Sequence, residues 1–238
     1  MSGLSTMVFT IATVCVLLGS AGAGAQPLSP YRQYSGNVLI NGNLKPVFQK
    51  QWDGSGPRSL VPLSLSASSF RSVVGGPFVH KRLAASAQGL AGDQRQELET
   101  ALLGLLKGYE HLLDQQDETQ LKNNLAGAFN FLFLHCYYVL KNGQSLTEAQ
   151  QASMLEQLNT AIGMGLSERR LSDRDKQELY EAAVLSGSII LGLYNEGRDL
   201  ARPEQMKTAR ELAKELLEQM MGITFEKVQV TDDAVRVH

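Results

Sequence analysis

The chain has 238 residues, 43% of them hydrophobic and 19% charged, with a formal net charge of -2. That balance belongs to folded globular proteins and excludes the disordered, fibrous and multi-span membrane classes. The near-neutral charge also gives no footing for a nucleic-acid partner, because phosphate binding needs a concentrated positive surface.

In chain order, the first signal is an apolar run, MVFTIATVCVLL from Met7 to Leu18, followed by the small-residue stretch GSAGAGA. Ala23-x-Ala25 fits the small-residue pattern ahead of a signal-peptidase cut, which predicts residues 1–25 as a signal peptide and Gln26 as the mature N-terminus. The run is too short for a membrane-spanning helix, which needs roughly 20 apolar residues, so no integral span is expected after cleavage. No Lys or Arg precedes it, a departure from the usual leader, and Cys15 lacks the Leu-small-small lead of a lipoprotein signal. The expectation is an exported protein, periplasmic or extracellular. Cleavage would leave one cysteine, Cys136, which cannot form an internal disulfide and is expected as a small buried residue.

Residues 26–90 are rich in Pro, Gly and Ser and show no sustained helical period, predicting an irregular, partly ordered N-terminal arm. VLI and PVF within it read as short strands or extended stretches. The arm carries seven basic residues (Arg32, Lys45, Lys50, Arg58, Arg71, Lys81, Arg82) against one acid, Asp53. Such an arm either lies against the more acidic remainder or meets an anionic partner. Trp52, the lone tryptophan, is the candidate docking residue, toward the body or toward a partner.

From residue 91 to 238 helix signals are regular. Asp93 with Gln96, Asp117 with Gln120 and Thr147 with Gln150 have the form of capping boxes. Ser172 opens a fourth helix and Pro203 suits the first turn of a fifth, where a missing N–H costs nothing. Gly143, Gly165, Gly197 and Gly222 sit where helix C-terminal glycines would. The fold class predicted is all-α: an antiparallel bundle of about five helices behind the irregular arm.

The most apolar segment, NNLAGAFNFLFLHCYYVLKNG from Asn123 to Gly143, raises the functional question. At about 100° per residue, Leu125, Phe129, Leu132, Phe133, Cys136, Val139 and Leu140 form one wholly apolar face. Asn124, Phe131, His135 and Tyr138 gather on a second stripe. On one reading Asn124, Asn130 and His135 are buried fasteners with partners on neighbouring helices; on the other, Asn124, Phe131, His135 and Tyr138 line a ligand cleft.

Known catalytic and cofactor motifs are missing. There is no His-Glu-x-x-His, no Cys-x-x-Cys and no phosphate-binding Gly-x-x-x-x-Gly-Lys-Ser/Thr, and the four histidines are dispersed, so neither a metal nor another cofactor is expected. GMGLSE at Gly163 lacks the third glycine of a dinucleotide fingerprint and reads as a helix end. Adjacent His135 and Cys136 diverge by about 100° on a helix and do not form a thiol–imidazole pair. In LSGSIILGLY, from Leu185, small residues read as a close helix–helix contact, and the terminal ITFEKVQVTDDAV reads as extended along the body.

The order PLSLSASSF, NNLAGAFNFLFLHCYYVLKNG, LSDRDKQELYEAAVL and GITFEKVQVTDDAV, behind a leader, resembles an uncharacterised family of exported bacterial helical proteins carrying a domain of unknown function. The resemblance covers most of residues 60–238. Gly127 stands where that family often has an acid. It implies export and a helical fold and assigns no chemistry. The functional expectation is a non-enzymatic interaction or structural protein of the cell envelope; the alternative is a carrier of a small hydrophobic ligand held between helices, and an enzyme ranks last.

Overall fold

A computed structural model describes residues 44–55, 62–87, 89–168 and 171–237. Among these the chain is mostly helical, with seven α-helices and one small two-stranded sheet. The predicted leader and the VLI stretch lie outside the described residues.

Five long helices carry the body: α3 (Gly92–Gln115), α4 (Leu125–Leu140), α5 (Glu148–Glu168), α6 (Asp173–Asp199) and α7 (Pro203–Met221). Two eight-residue helices precede them, α1 (Lys45–Trp52) and α2 (Val79–Ser86), so the helix count exceeds the five expected. PVF, expected as extended, lies inside α1. An eight-residue helix spans only about two turns, too few to show a period against a Ser- and Pro-rich background.

Local chemistry explains most helix ends. Thr147 and Gln150 form their box: the Gln150 side chain accepts from the Thr147 amide at 2.8 Å, and Thr147 Oγ1 accepts from the Gln150 amide at 3.3 Å. Ser172 and Asp175 do the same at the start of α6. Pro203 sits in the first turn of α7, and Gly222 ends that helix at φ 65°, a left-handed conformation that favours glycine.

Two predicted boxes differ. α3 starts at Gly92, and Gln94 rather than Gln96 reaches back, accepting from the Ala91 amide at 3.0 Å. Asp117 does not open the second long helix. At φ 57° it turns the chain out of α3, a 3-10 turn (Thr119–Leu121) follows, and Asn123 at φ 51° turns it again before Asn124 caps α4. Two left-handed residues six apart leave no room for a helix between them.

α4 is the buried centre. It packs chiefly on α6 and also on α5 and α7. Gly187 of α6 permits the closest approach: a Cβ there would lie 3.0 Å from Phe131 Cδ1 and 3.3 Å from Leu132 Cα. The small residues of α6 are therefore packing devices, as expected. Gly165 and Gly197 instead lie inside helices, not at their ends. A Cβ on Gly165 would meet Val47 Cγ1 of α1 at 2.5 Å, and one on Gly163 would meet Ala67 Cβ at 2.9 Å. The GMG sequence is a double notch that seats the lead segment on α5.

The chain closes with a 3-10 turn (Phe225–Lys227) and a hairpin, β1 (Val228–Val230) antiparallel to β2 (Val235–Val237), with Val228 opposite Val237. Val235 and Val237 are buried. Gln150 and Gln157 of α5 donate to the carbonyls of Thr231 and Val235, each at 2.7 Å, and fix the hairpin to the body.

Candidate functional site

The described parts of the lead segment, residues 44–55 and 62–87, are built into the body through buried polar side chains. Phe48 and Trp52, one turn apart on α1, stack at 6.0 Å, and Phe48 packs on Phe129 of α4 at 5.3 Å. The Trp52 indole is 9% exposed and its N–H donates to the Met221 carbonyl at 2.8 Å. Trp52 thus docks on the protein's own α7.

Asn124 has a fully assigned amide. Its Oδ1 accepts from the Gly127 amide at 2.9 Å, capping α4, while its Nδ2 donates to the Leu65 carbonyl at 2.7 Å and Ser69 Oγ at 3.2 Å. Asn159 of α5 repeats the device, donating to the Leu63 carbonyl at 2.8 Å and accepting from the Ser68 hydroxyl. Both hold the same stretch of lead.

The other stripe residues lie further along α4. Phe131 packs between Tyr109 of α3, at 4.6 Å, and His135, at 4.1 Å. His135 Nδ1 lies 2.8 Å from the Phe131 carbonyl oxygen, so Nδ1 carries the proton of the neutral ring. Burial holds the His135 pKa down at about 4, against the Phe131 carbonyl, which works the other way. Tyr138 accepts from Arg198 at 3.1 Å and meets Tyr194 edge-on at 5.9 Å. Phe131 and His135 are thus in contact. Asn124 is two turns away at the helix start, engaged with the lead, and Tyr138 belongs to a separate pair with Arg198. Cys136 is buried, and desolvation pushes its thiol pKa up, away from the reactive thiolate.

A cleft of about 130 Å³ opens elsewhere, where α3, the start of α6 and the lead segment converge. Leu103, Leu106, Lys107 and Glu110 recur at helical spacing along one face of α3 and supply one wall. Gln177, Tyr180 and Glu181 of α6 supply the other, with Ser72, Pro77 and Asn123 at the ends. Gly76 permits the lead to approach, since a Cβ there would fall 2.0 Å from Gln177 Nε2.

Glu181, 2% exposed, is the buried acid of this cleft. One oxygen accepts from the Phe78 and Val79 amides, at 2.9 and 2.8 Å, at the start of α2; the other accepts from Gln177 Nε2 at 2.7 Å. Gln177 in turn accepts from the Val73 amide at 2.7 Å. Burial raises the Glu181 pKa, and the three donors partly oppose it. The carboxylate therefore anchors the lead segment. Tyr180 differs: it is 4% exposed, the Asn123 amide N–H bears on its hydroxyl oxygen, and its O–H proton has no acceptor among the described residues. It joins an edge-to-face file of rings, Phe70–Tyr180–Tyr109–Phe131–His135, that runs from the lead through α6 and α3 into α4.

Sequence reasoning missed Tyr180, Gln177 and Glu181. Their signal was present in QELYEAAVL: Gln177 and Glu181 recur at i and i+4 on the edge of an apolar helix face, an unusual place for a carboxylate. Among the described residues no group of His, Cys, Asp and Glu is placed to hold a metal ion, and no helix is long and apolar enough to cross a membrane.

These features define a mostly helical protein whose lead segment is fastened across its long helices by buried polar side chains. Residues 49–237 match the Family of unknown function (DUF6683), and the chain belongs to that family. No curated protein and no solved structure matches it.

Proposed function

We propose that the chain is an exported, non-enzymatic protein of the cell envelope that acts by binding. On this reading residues 1–25 are a cleaved leader, residues 26–90 are an arm, and the five long helices of residues 91–238 form an antiparallel bundle. The apolar run Met7–Leu18 and the Ala23-x-Ala25 pattern support export. The observation that carries the non-enzymatic part is what the reactive side chains do. The Cys136 thiol is sealed in the core, His135 is engaged by a backbone carbonyl, and the Glu181 carboxylate is occupied by three N–H donors. His135 and Glu181 have structural partners instead of catalytic ones, and Cys136 is packed as a core residue.

Native mass spectrometry of the protein from its own source tests this reading. The expected result is a chain beginning at Gln26 with a protein partner of defined stoichiometry. Ester or amide hydrolysis by the wild type, lost in Cys136→Ala or His135→Ala, would overturn it.

A second reading, a carrier of a small molecule, gains support from the cleft at Tyr180. The Phe131–His135 stripe supports it less, because those two rings pack on each other. A retained mass of a few hundred daltons, released on denaturation, is its expected signature.

A further inference from the structure

Three features of the cleft between α3, α6 and the lead segment point to one kind of occupant. The first is Tyr180. The Asn123 amide N–H bears on the hydroxyl oxygen, but the buried O–H proton itself has no acceptor in the described chain, which is costly. Its pKa is raised by burial first and then by the negative charge of Glu110, against the Asn123 amide, which lowers it, and Glu181 raises it a little further. Both carboxylates and Asn123 line the cleft, as Tyr180 does. Its proton awaits an acceptor.

The second feature is the mouth. Lys107 and Glu110 are exposed on α3, three residues apart on the same face, and carry opposite charges. Neither forms an ion pair or hydrogen bond within the described chain. Elsewhere on the surface opposite charges do pair, as in Lys122 with Asp114 and Lys214 with Glu226. The third is size and lining. About 130 Å³ suits a molecule of benzene dimensions, and Leu103 and Leu106 give it an apolar wall.

We propose that this cleft binds a small zwitterion of amino-acid size, its ammonium facing Glu110 and its carboxylate facing Lys107. An oxygen of the ligand accepts the Tyr180 proton, and a short side chain lies against Leu103 and Leu106. An amine or a carboxylate alone would meet one rim charge of its own sign. A wholly apolar molecule would leave the Tyr180 O–H proton without an acceptor. The proposal rests on the small-molecule reading and gives it a ligand class.

Isothermal titration of the mature protein with glycine, alanine and serine tests it, with propionate, ethylamine and indole as comparison ligands. The expected result is saturable binding of at least one zwitterion, at least tenfold tighter than propionate or ethylamine. That affinity should fall at least tenfold in both Lys107→Ala and Glu110→Ala, whose exposed side chains leave the thermal midpoint unchanged, and also in Tyr180→Phe. Equal affinity in wild type and the two rim variants would overturn the assignment. Binding of indole with no response to zwitterions would overturn it too, while leaving the small-molecule reading in place. Silence toward all six ligands would remove both.

Discussion

The α4–α6 contact and the seam under the lead segment are both buried, yet they are held by different physics. Between α4 and α6 the partners are apolar: Phe131 and Leu132 settle over Gly187, and stability comes from excluded water and close packing. Along the seam the partners are directional. Trp52 to Met221, Asn124 to Leu65, Asn159 to Leu63, Gln177 to Val73 and Glu181 to Phe78 and Val79 are single hydrogen bonds, or pairs, between a body residue and the lead. A packed contact degrades in proportion to the volume removed. A directional seam fails one fastener at a time, and each failure leaves a buried polar group unpaired.

The largest effect should come from the packed side. Leu132→Ala, in a fully buried position, is expected to cost about 3 kcal/mol of global stability in urea unfolding, with a lower midpoint and an unchanged slope. An unchanged midpoint would mean the contact carries little. Asn124→Ala comes next, at about 2 kcal/mol, because it removes the α4 cap and the two lead contacts together. Asn124→Ser should recover about 1 kcal/mol, since serine can cap α4 but is too short to reach Leu65. Equal losses in the two variants would show that the lead contacts alone matter.

Acid should act in opposite directions on the two regions. The His135 pKa is about 4 folded against 6.5 unfolded, so its contribution is complete above pH 6.5 and is lost as pH falls toward 4. Glu181, raised above its unfolded value of 4.5, adds stability as pH falls through its folded pKa. Comparing urea midpoints at pH 7 and pH 5 for wild type and His135→Phe isolates the first effect. The wild type should lose about 1–2 kcal/mol more than the variant over that interval. Parallel losses would mean that the imidazolium is solvated in the folded state.

Trp52→Phe should have the smallest effect, about 1 kcal/mol, because the ring still packs on Phe48 and only the N–H to Met221 is lost. Its mark should be local. Amide exchange is expected to quicken across residues 45–52 and stay slow in α4. Uniform acceleration would deny that the seam opens separately.

Much of the helical body was legible in the sequence because the signals are local. Thr147 with Gln150, Ser172, Pro203 and Gly222 act within a few residues of themselves, and the apolar face of α4 follows from its spacing. The Asp117 box was misread because the same residue types that cap helices also turn left-handed, and only the tertiary context decides which. Gly163 and Gly165 looked like a helix end because their purpose, admitting Ala67 and Val47, depends on residues about 100 positions earlier. Of the stripe on α4, Phe131 and His135 are in ring contact, as residues four apart on one helix face are. The Tyr180 cleft was not foreseen, because its walls come from three separated stretches of chain.

One contact has a consequence for biosynthesis. Trp52 and Met221 are 169 positions apart, and α1 lies on α5 and α7. A chain emerging from the ribosome presents α1 well before α7, so Phe48 can meet Phe129 of α4 midway, but the Trp52 indole has no carbonyl to donate to until Met221 has been made. During that interval the Trp52 ring remains available to any binder of nascent apolar segments. Closure of α1 on α7 is therefore among the last steps of maturation.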